Sequence, residues 1–228
     1  MDNIQIVIDG PAGAGKSTIS KIVAEQLGFL YIDTGAMYRA VGLKALSLNY
    51  DTKNDSNLIA QLMDNIKIDL KHGDNGQQVF LDDKNVTAEI RTPEVSIAAS
   101  DVSAIPAVRI SLANIQRKLA KQNNIVMDGR DIGSYVLPNA DIKIFLTASL
   151  EDRAKRRYNE LLKKGKDVSF ENVLSDMNYR DTNDSNRELA PLVVPDGAIV
   201  IDTTGNTLEQ SIKLLSDTIK ERLNCLLK

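Results

Sequence analysis

The chain has 228 residues, 43% of them hydrophobic and 26% charged, so it can bury a real core but is too short for several independent domains. Its 28 basic and 31 acidic side chains leave a formal net charge of −3, which argues against a broad basic nucleic-acid face. One cysteine, Cys225, excludes an internal disulfide, and one histidine, His72, nearly excludes a Ser-His-Asp triad or a histidine-based metal centre, leaving the chemistry to Gly, Lys, Arg, Asp and hydroxyls.

The first predicted element is IQIVID (4–9), a short apolar run that reads as a buried strand. Gly10-Pro11-Ala12-Gly13-Ala14-Gly15-Lys16-Ser17-Thr18 follows, and then a helical pattern through Ile22, Val23 and Leu27. This is G-x-x-x-x-G-K-[ST] in the strand-loop-helix setting of a P-loop. Its glycines let backbone N–H groups point inward at phosphate oxygens, Lys16 adds a mobile charge, and the Ser17 hydroxyl suits Mg²⁺. A glycine-rich turn that binds nothing is the plain alternative; the placement between strand and helix favours the nucleotide.

A second strand, FLYID (29–33), leads into Asp33-Thr34-Gly35-Ala36-Met37-Tyr38-Arg39, with a hydroxyl and a glycine at a helix start. Asp33 suits either water-mediated Mg²⁺ binding or capping. Tyr38 suits core packing and a ring beside a nucleotide equally. Thr52-Lys53-Asn54-Asp55 and, later, Asp202-Thr203-Thr204-Gly205 imitate GTP-switch motifs, but in reversed order and with the first in a polar loop, so both read as accidental. IKIDLK (66–71) alternates, Asp74-Asn75-Gly76 signals a turn, and QVFLDD (78–83) precedes a second turn before Val86. This predicts a small antiparallel sheet inserted into an α/β domain, on the side that covers a substrate. Pro93 to Leu119 reads as helical with charged faces.

Three further strands are predicted: NIVMD (124–128), IKIFL (142–146) and AIVID (198–202). With the first two they make five parallel strands wrapped by helices, and Asp33, Asp128 and Asp202 stand at carboxyl ends, where such sheets collect ligands. Between them Ser149 is placed to cap a helix carrying Arg153, Arg156 and Arg157 at i, i+3 and i+4. That spacing is usually a solvated face. Arg180 and Arg187 are separated so that they would share a helix face with Asp184, either as a salt-bridged surface or as a site. Thr207 and Gln210 form a capping box before the final helix.

GPAGAGKST (10–18), DTGAMYRA (33–40), EIRTPEVSIAAS (89–100), DGRDIG (128–133) and RDTNDSNRELAPL (180–192) together resemble the bacterial cytidylate kinase family, essentially from end to end. Ser17-Thr18 departs from the Gly-Thr of some relatives and keeps a hydroxyl near the metal. The resemblance implies transfer of the γ-phosphate of ATP to CMP or dCMP, with Mg²⁺, on one P-loop kinase domain over 1–228. Within it lie an acceptor region at about 35–123, whose β insertion covers about 66–90, and a mobile lid at about 150–188. It implies that Arg39 and Arg130 hold the acceptor phosphate, with Thr34 in the same substrate site, Asp184 the ribose hydroxyls, and Asp131 with Ser100 and Arg109 the cytosine. Lys16, Arg130 and Arg187 would act on the transferring phosphate, Arg180 would belong to the same site, and lid arginines such as Arg153 and Arg157 would close over ATP. Another acceptor, such as UMP, AMP or a small metabolite, remains the nearest alternative.

No apolar run approaches the roughly 18 residues that span a bilayer, and Asp2 stands where an export signal would carry positive charge. A cytoplasmic monomer whose partners are small molecules, with no nucleic acid and no membrane, is therefore the expectation.

Overall fold

The computed structural model describes residues 3–73 and 76–226. The chain opens with β1 (Gln5–Asp9), the glycine-rich loop and α1 (Lys16–Leu27), which Gly28 ends in a left-handed conformation with its N–H on Ala24 and Glu25 carbonyls. Then come β2 (Leu30–Asp33), α2 (Thr34–Ser47) and α3 (Ser56–Leu62), followed by β3 (Ile68–Gly73), β4 (Gly76–Leu81) and β5 (Lys84–Asn85). A 3-10 turn at Glu89–Arg91 precedes α4 (Pro93–Val102) and α5 (Pro106–Gln122). The remainder is β6 (Ile125–Gly129), a single π turn at Ile132–Val136, β7 (Ile142–Thr147), α6 (Leu150–Lys163), α7 (Phe170–Ser185), β8 (Ile199–Asp202) and α8 (Leu208–Leu226).

The main sheet is parallel with strand order β2-β6-β1-β7-β8. Central β1 is apolar on both faces because both are covered. Ile6 and Ile8 pack with Ile19 and Val23 of α1 and with Leu215 and Ile219 of α8, whereas Val7 joins Ala113 and Ala120 of α5. The register sets Asp33 of β2 beside Asp128 of β6, so two strand-end carboxylates share one edge. All five predicted strands form within a residue or so of their expected bounds.

The β insertion forms as a three-stranded antiparallel sheet in the order β3-β4-β5, shifted a residue or two from its expected strands. Its turn residues Asp74 and Asn75 lie outside the described residues. Ile68, Val79 and Leu81, with Val86 and Ile90 just after, enter one buried cluster with α2, α4 and α5. Gly42 of α2 permits this packing, since a Cβ there would lie 3.0 Å from the Ala99 backbone nitrogen of α4.

Two elements differ from expectation. Pro93–Leu119 is two helices bent by 99°, because Pro106 disfavours a helical conformation at Ile105 and starts a new helix. The first of them is largely buried rather than charged-faced. After β6 there is no full helix. The π turn is held by Asp9, whose carboxylate accepts from the Ile132 and Gly133 N–H groups at 2.8 and 2.7 Å. Among the described residues no single helix is long and apolar enough to cross a membrane.

Candidate active site

The glycine-rich loop leaves β1 at the point where the chain order of the sheet reverses, the usual location of a ligand crevice. Gly10 starts it with φ +144° and its α-hydrogen against β7; a Cβ would lie 2.0 Å from the Leu146 carbonyl oxygen. The loop then feeds α1 through Gly15, which caps the helix without a side chain and leaves its first N–H groups facing outward. Lys16 folds back so that its Nζ donates to the Pro11 carbonyl at 2.7 Å. Burial and then neighbouring Arg130 push this lysine well below its ordinary range, a cost that a nearby anion relieves.

In front of the loop lies a cavity of about 610 Å³. Its lining includes nine cationic side chains, Lys16, Arg39, Arg91, Arg130, Arg156, Arg157, Lys164, Arg180 and Arg187, against five carboxylates. A chain with a net charge of −3 thus concentrates positive charge in one crevice. The Arg180 side chain makes no hydrogen bond to protein and no ion pair among the described residues, and burial followed by Arg130 lowers it to about 10. Such a cation asks for an anion.

Around it the other arginines are held by carboxylates. Arg39 pairs with Asp33 at 2.9 Å, and Arg130 Nε donates to Asp184 at 2.8 Å. Burial tends to raise the Asp184 carboxyl, but Arg130, Arg187 and Arg180 outweigh it and keep it below the usual range. Arg187, which follows the end of α7 rather than continuing it, donates to the Asp184 carbonyl and to Ser103 Oγ, both at 3.1 Å.

Ser100, Tyr38 and Asp131 also line the cavity, while fully buried Arg109 stands behind Asp131 in an ion pair with it. The Arg109 guanidinium also lies 5.4 Å from the Tyr38 ring centroid and donates to the Ser103 carbonyl at 3.0 Å. Tyr38 therefore belongs to the core and also faces the cavity.

At the foot of α1, Ser17 donates to Asp128 Oδ2 at 2.8 Å, and Tyr31 donates to the other oxygen at 2.8 Å. Burial and then Asp33 raise the Asp128 carboxyl to about 6. Asp33 itself caps α2 by accepting from Ala36 N–H, so the capping role that the sequence suggests is made. Thr34 donates to the Asp128 carbonyl at 2.7 Å. The Ser17 hydroxyl on Asp128, with Asp33 on the neighbouring strand, is an oxygen-only donor set that suits a hard divalent cation.

Of the three α6 arginines expected to close over ATP, Arg157 and Arg156 line the cavity but Arg153 does not. Arg153 is buried, donating to the carbonyls of Ala148 and Ala12 and pairing with Asp181 at 2.6 Å. Sequence reasoning gave no role of its own to Asp128, although its place at the end of an apolar strand was the available signal. It also missed Asp181 and Asn183, whose partners are remote in sequence.

A family model described as cytidylate kinase matches residues 6–221. A cytidylate kinase of Caldicellulosiruptor bescii is 54% identical over 93% of this chain and 94% of its own. Those of Caldanaerobacter subterraneus (49%, covering 96% and 95%) and Clostridioides difficile (50%, covering 93% and 96%) are similar to it as well. A solved structure of an uncharacterized protein from Eubacterium ventriosum shares the fold, with a TM-score of 0.50 at 14% identity, covering 96% of this chain and 99% of its own.

Proposed function

The chain belongs to the cytidylate kinase family, and from that premise we propose that it transfers the γ-phosphoryl group of ATP to CMP or dCMP, giving ADP and CDP or dCDP. The observation that carries this reading is the crevice itself, where the glycine-rich loop faces Arg39, Arg130, Arg180 and Arg187 across one cation-rich cavity.

The acceptor oxygen of a nucleoside monophosphate is already anionic, so no general base is needed, in keeping with a chain that has a single histidine. The work is to bring two polyanions into line and exclude water. Lys16 would leave the Pro11 carbonyl for the donor phosphates, with the loop N–H groups around it. Arg39 and Arg130, each tethered by a carboxylate, would receive the acceptor phosphate with their remaining donors, and Arg180 and Arg187 would meet charge developing between the two nucleotides. Asp184 would hold ribose hydroxyls, and Asp131, oriented by Arg109, would accept from the cytosine amine beside Ser100. Ser17 and Asp128, with Asp33 alongside, would hold Mg²⁺, whose contribution is neutralisation of donor phosphate charge. The acceptor region is the segment of about 35–123. The hairpin of α6 and α7 would close over ATP through Arg157 and Arg156.

A coupled ADP-release assay with CMP, dCMP, UMP and AMP in parallel tests the reading. Turnover should be highest with CMP or dCMP. Equal or better turnover of UMP would defeat the cytidine assignment, and slow hydrolysis indifferent to any monophosphate would defeat the kinase.

A further inference from the structure

The acceptor wall contains one side chain that never reaches the cavity yet dictates what the cavity offers. Asn183 of α7 lies behind Ser100 and lines a separate, smaller hollow of about 450 Å³ together with Thr52, Lys53, Asp101 and Tyr179. Its Nδ2 lies 2.9 Å from the Ser100 carbonyl oxygen and 3.0 Å from Ser100 Oγ. A carbonyl can only accept, so the amide nitrogen, not its oxygen, must face Ser100. That nitrogen has no lone pair to give, so Ser100 Oγ must accept from it.

The rest of the Ser100 neighbourhood closes the remaining alternatives. Its carbonyl also accepts from Ser103 Oγ at 2.8 Å, which uses the second lone pair. The Ser100 hydroxyl proton has no protein acceptor among the described hydrogen bonds, and Ser100 lines the main cavity. One turn earlier on α7, Tyr179 donates to Asp101 Oδ1 at 2.5 Å, so residues 179 and 183 grip residues 101 and 100 of α4.

We propose that Asn183 sets the Ser100 hydroxyl as a donor toward N3 of the base and thereby makes the site prefer cytosine to uracil. Cytosine N3 is an acceptor and takes that proton; uracil N3 carries a hydrogen and meets a second donor. The O2 atom accepts in both bases and cannot discriminate. Asn183 is a positioning residue that acts through Ser100, and the inference rests on the reading that the pyrimidine lies beside Ser100.

The test is the ratio of kcat/KM for CMP to that for UMP in the full-length enzyme and in Asn183→Ala, Asn183→Asp, Ser100→Ala and the Ser100→Ala/Asn183→Ala double variant. Asn183→Ala frees the hydroxyl to rotate and should lower the ratio about threefold to tenfold, the worth of one hydrogen bond, with KM for ATP unmoved. Asn183→Asp should lower it further, because a carboxylate takes the hydroxyl proton and turns an oxygen lone pair toward the base. In the double variant the Asn183 change should add nothing beyond Ser100→Ala. If Asn183→Ala slows CMP and UMP alike while Ser100→Ala alters the ratio, Asn183 is merely structural and the proposal is overturned. It is overturned equally if the effect of Asn183→Ala on the ratio persists without the Ser100 hydroxyl. A ratio untouched by Ser100→Ala overturns instead the placement of the pyrimidine.

Discussion

Two carboxylates in the site carry consequences that their charge alone would not suggest. Asp128 is raised from 3.8 to about 6, chiefly by burial and then by Asp33, yet its two oxygens accept from Ser17 and Tyr31, an arrangement that suits the ionised form. The kcat/KM for ATP should therefore fall as pH drops through about 6, and Asp128→Asn should lower activity while flattening that limb. Substrate phosphates titrate in both enzymes, so the difference between the two profiles isolates Asp128. For stability the sign is opposite. The unfolded chain ionises this group near 3.8, so its contribution is largest below that pH and is lost as pH rises through about 6. Asp131 presents a different problem, because its partner Arg109 is fully buried. Asp131→Ala removes the proposed base contact, which should cost about 1–3 kcal/mol of cytosine selectivity. It also strands a buried charge, so urea unfolding should show a loss of about 3–5 kcal/mol. Selectivity lost with stability intact would mean that Arg109 finds another partner.

At the scale of elements, the helical hairpin is bolted to the glycine-rich loop. Ala12 packs with Ala154, Leu161, Val173 and Met177 of α6 and α7, and its carbonyl accepts from Arg153, which in turn pairs with Asp181. Arg153 reads in the sequence as one of three equivalent helix arginines, but it alone of the three is buried, with three acceptors around its guanidinium. A lysine carries its three N–H groups on one nitrogen and cannot span acceptors that Nε and Nη1 reach separately. Arg153→Lys should raise KM for ATP by roughly tenfold while KM for CMP stays nearly constant, since the loop is misplaced and the acceptor wall is not. Steady-state kinetics with each nucleotide varied in turn checks this; equal effects on both would place the defect outside the loop. The strands were legible because buried parallel strands are continuous apolar runs, and the capping box of α8 was legible because it is local, with Thr207 and Gln210 bonding reciprocally. The break at residues 103–105 was marked only by Pro106.

For the molecule as a whole, the β insertion is the element whose position matters most. Among the described residues none from 66 to 90 lines the cavity. The small sheet instead stands behind α2 and touches the site's edge through Gln77, whose side-chain oxygen accepts from the Asp33 N–H at 2.9 Å. Its five buried residues, Ile68, Val79, Leu81, Val86 and Ile90, contribute together about 10 kcal/mol of apolar burial. That is comparable with the net stability of an entire domain. Excision of 66–90 should therefore abolish cooperative thermal unfolding rather than simply weaken CMP binding. A variant that melts cooperatively with only a raised KM would show the insertion to be a substrate cover.

The sequence by itself determined the five apolar strands, the P-loop, the family to which its motifs point, and the scarcity of histidine and cysteine. All of these rest on composition or on residues adjacent along the chain. The net charge of −3 and the scattered arginines could not say where the cations meet, since that depends on strand order and helix packing. Only the tertiary structure decided that Arg153 faces the loop while Arg157 faces the cavity, and that Asp128 rather than Asp33 holds Ser17. It alone placed Asn183 behind Ser100. The physical reason is the same in each case: a polar side chain takes its role from the partner it can reach, and these partners lie 83 to 141 residues away.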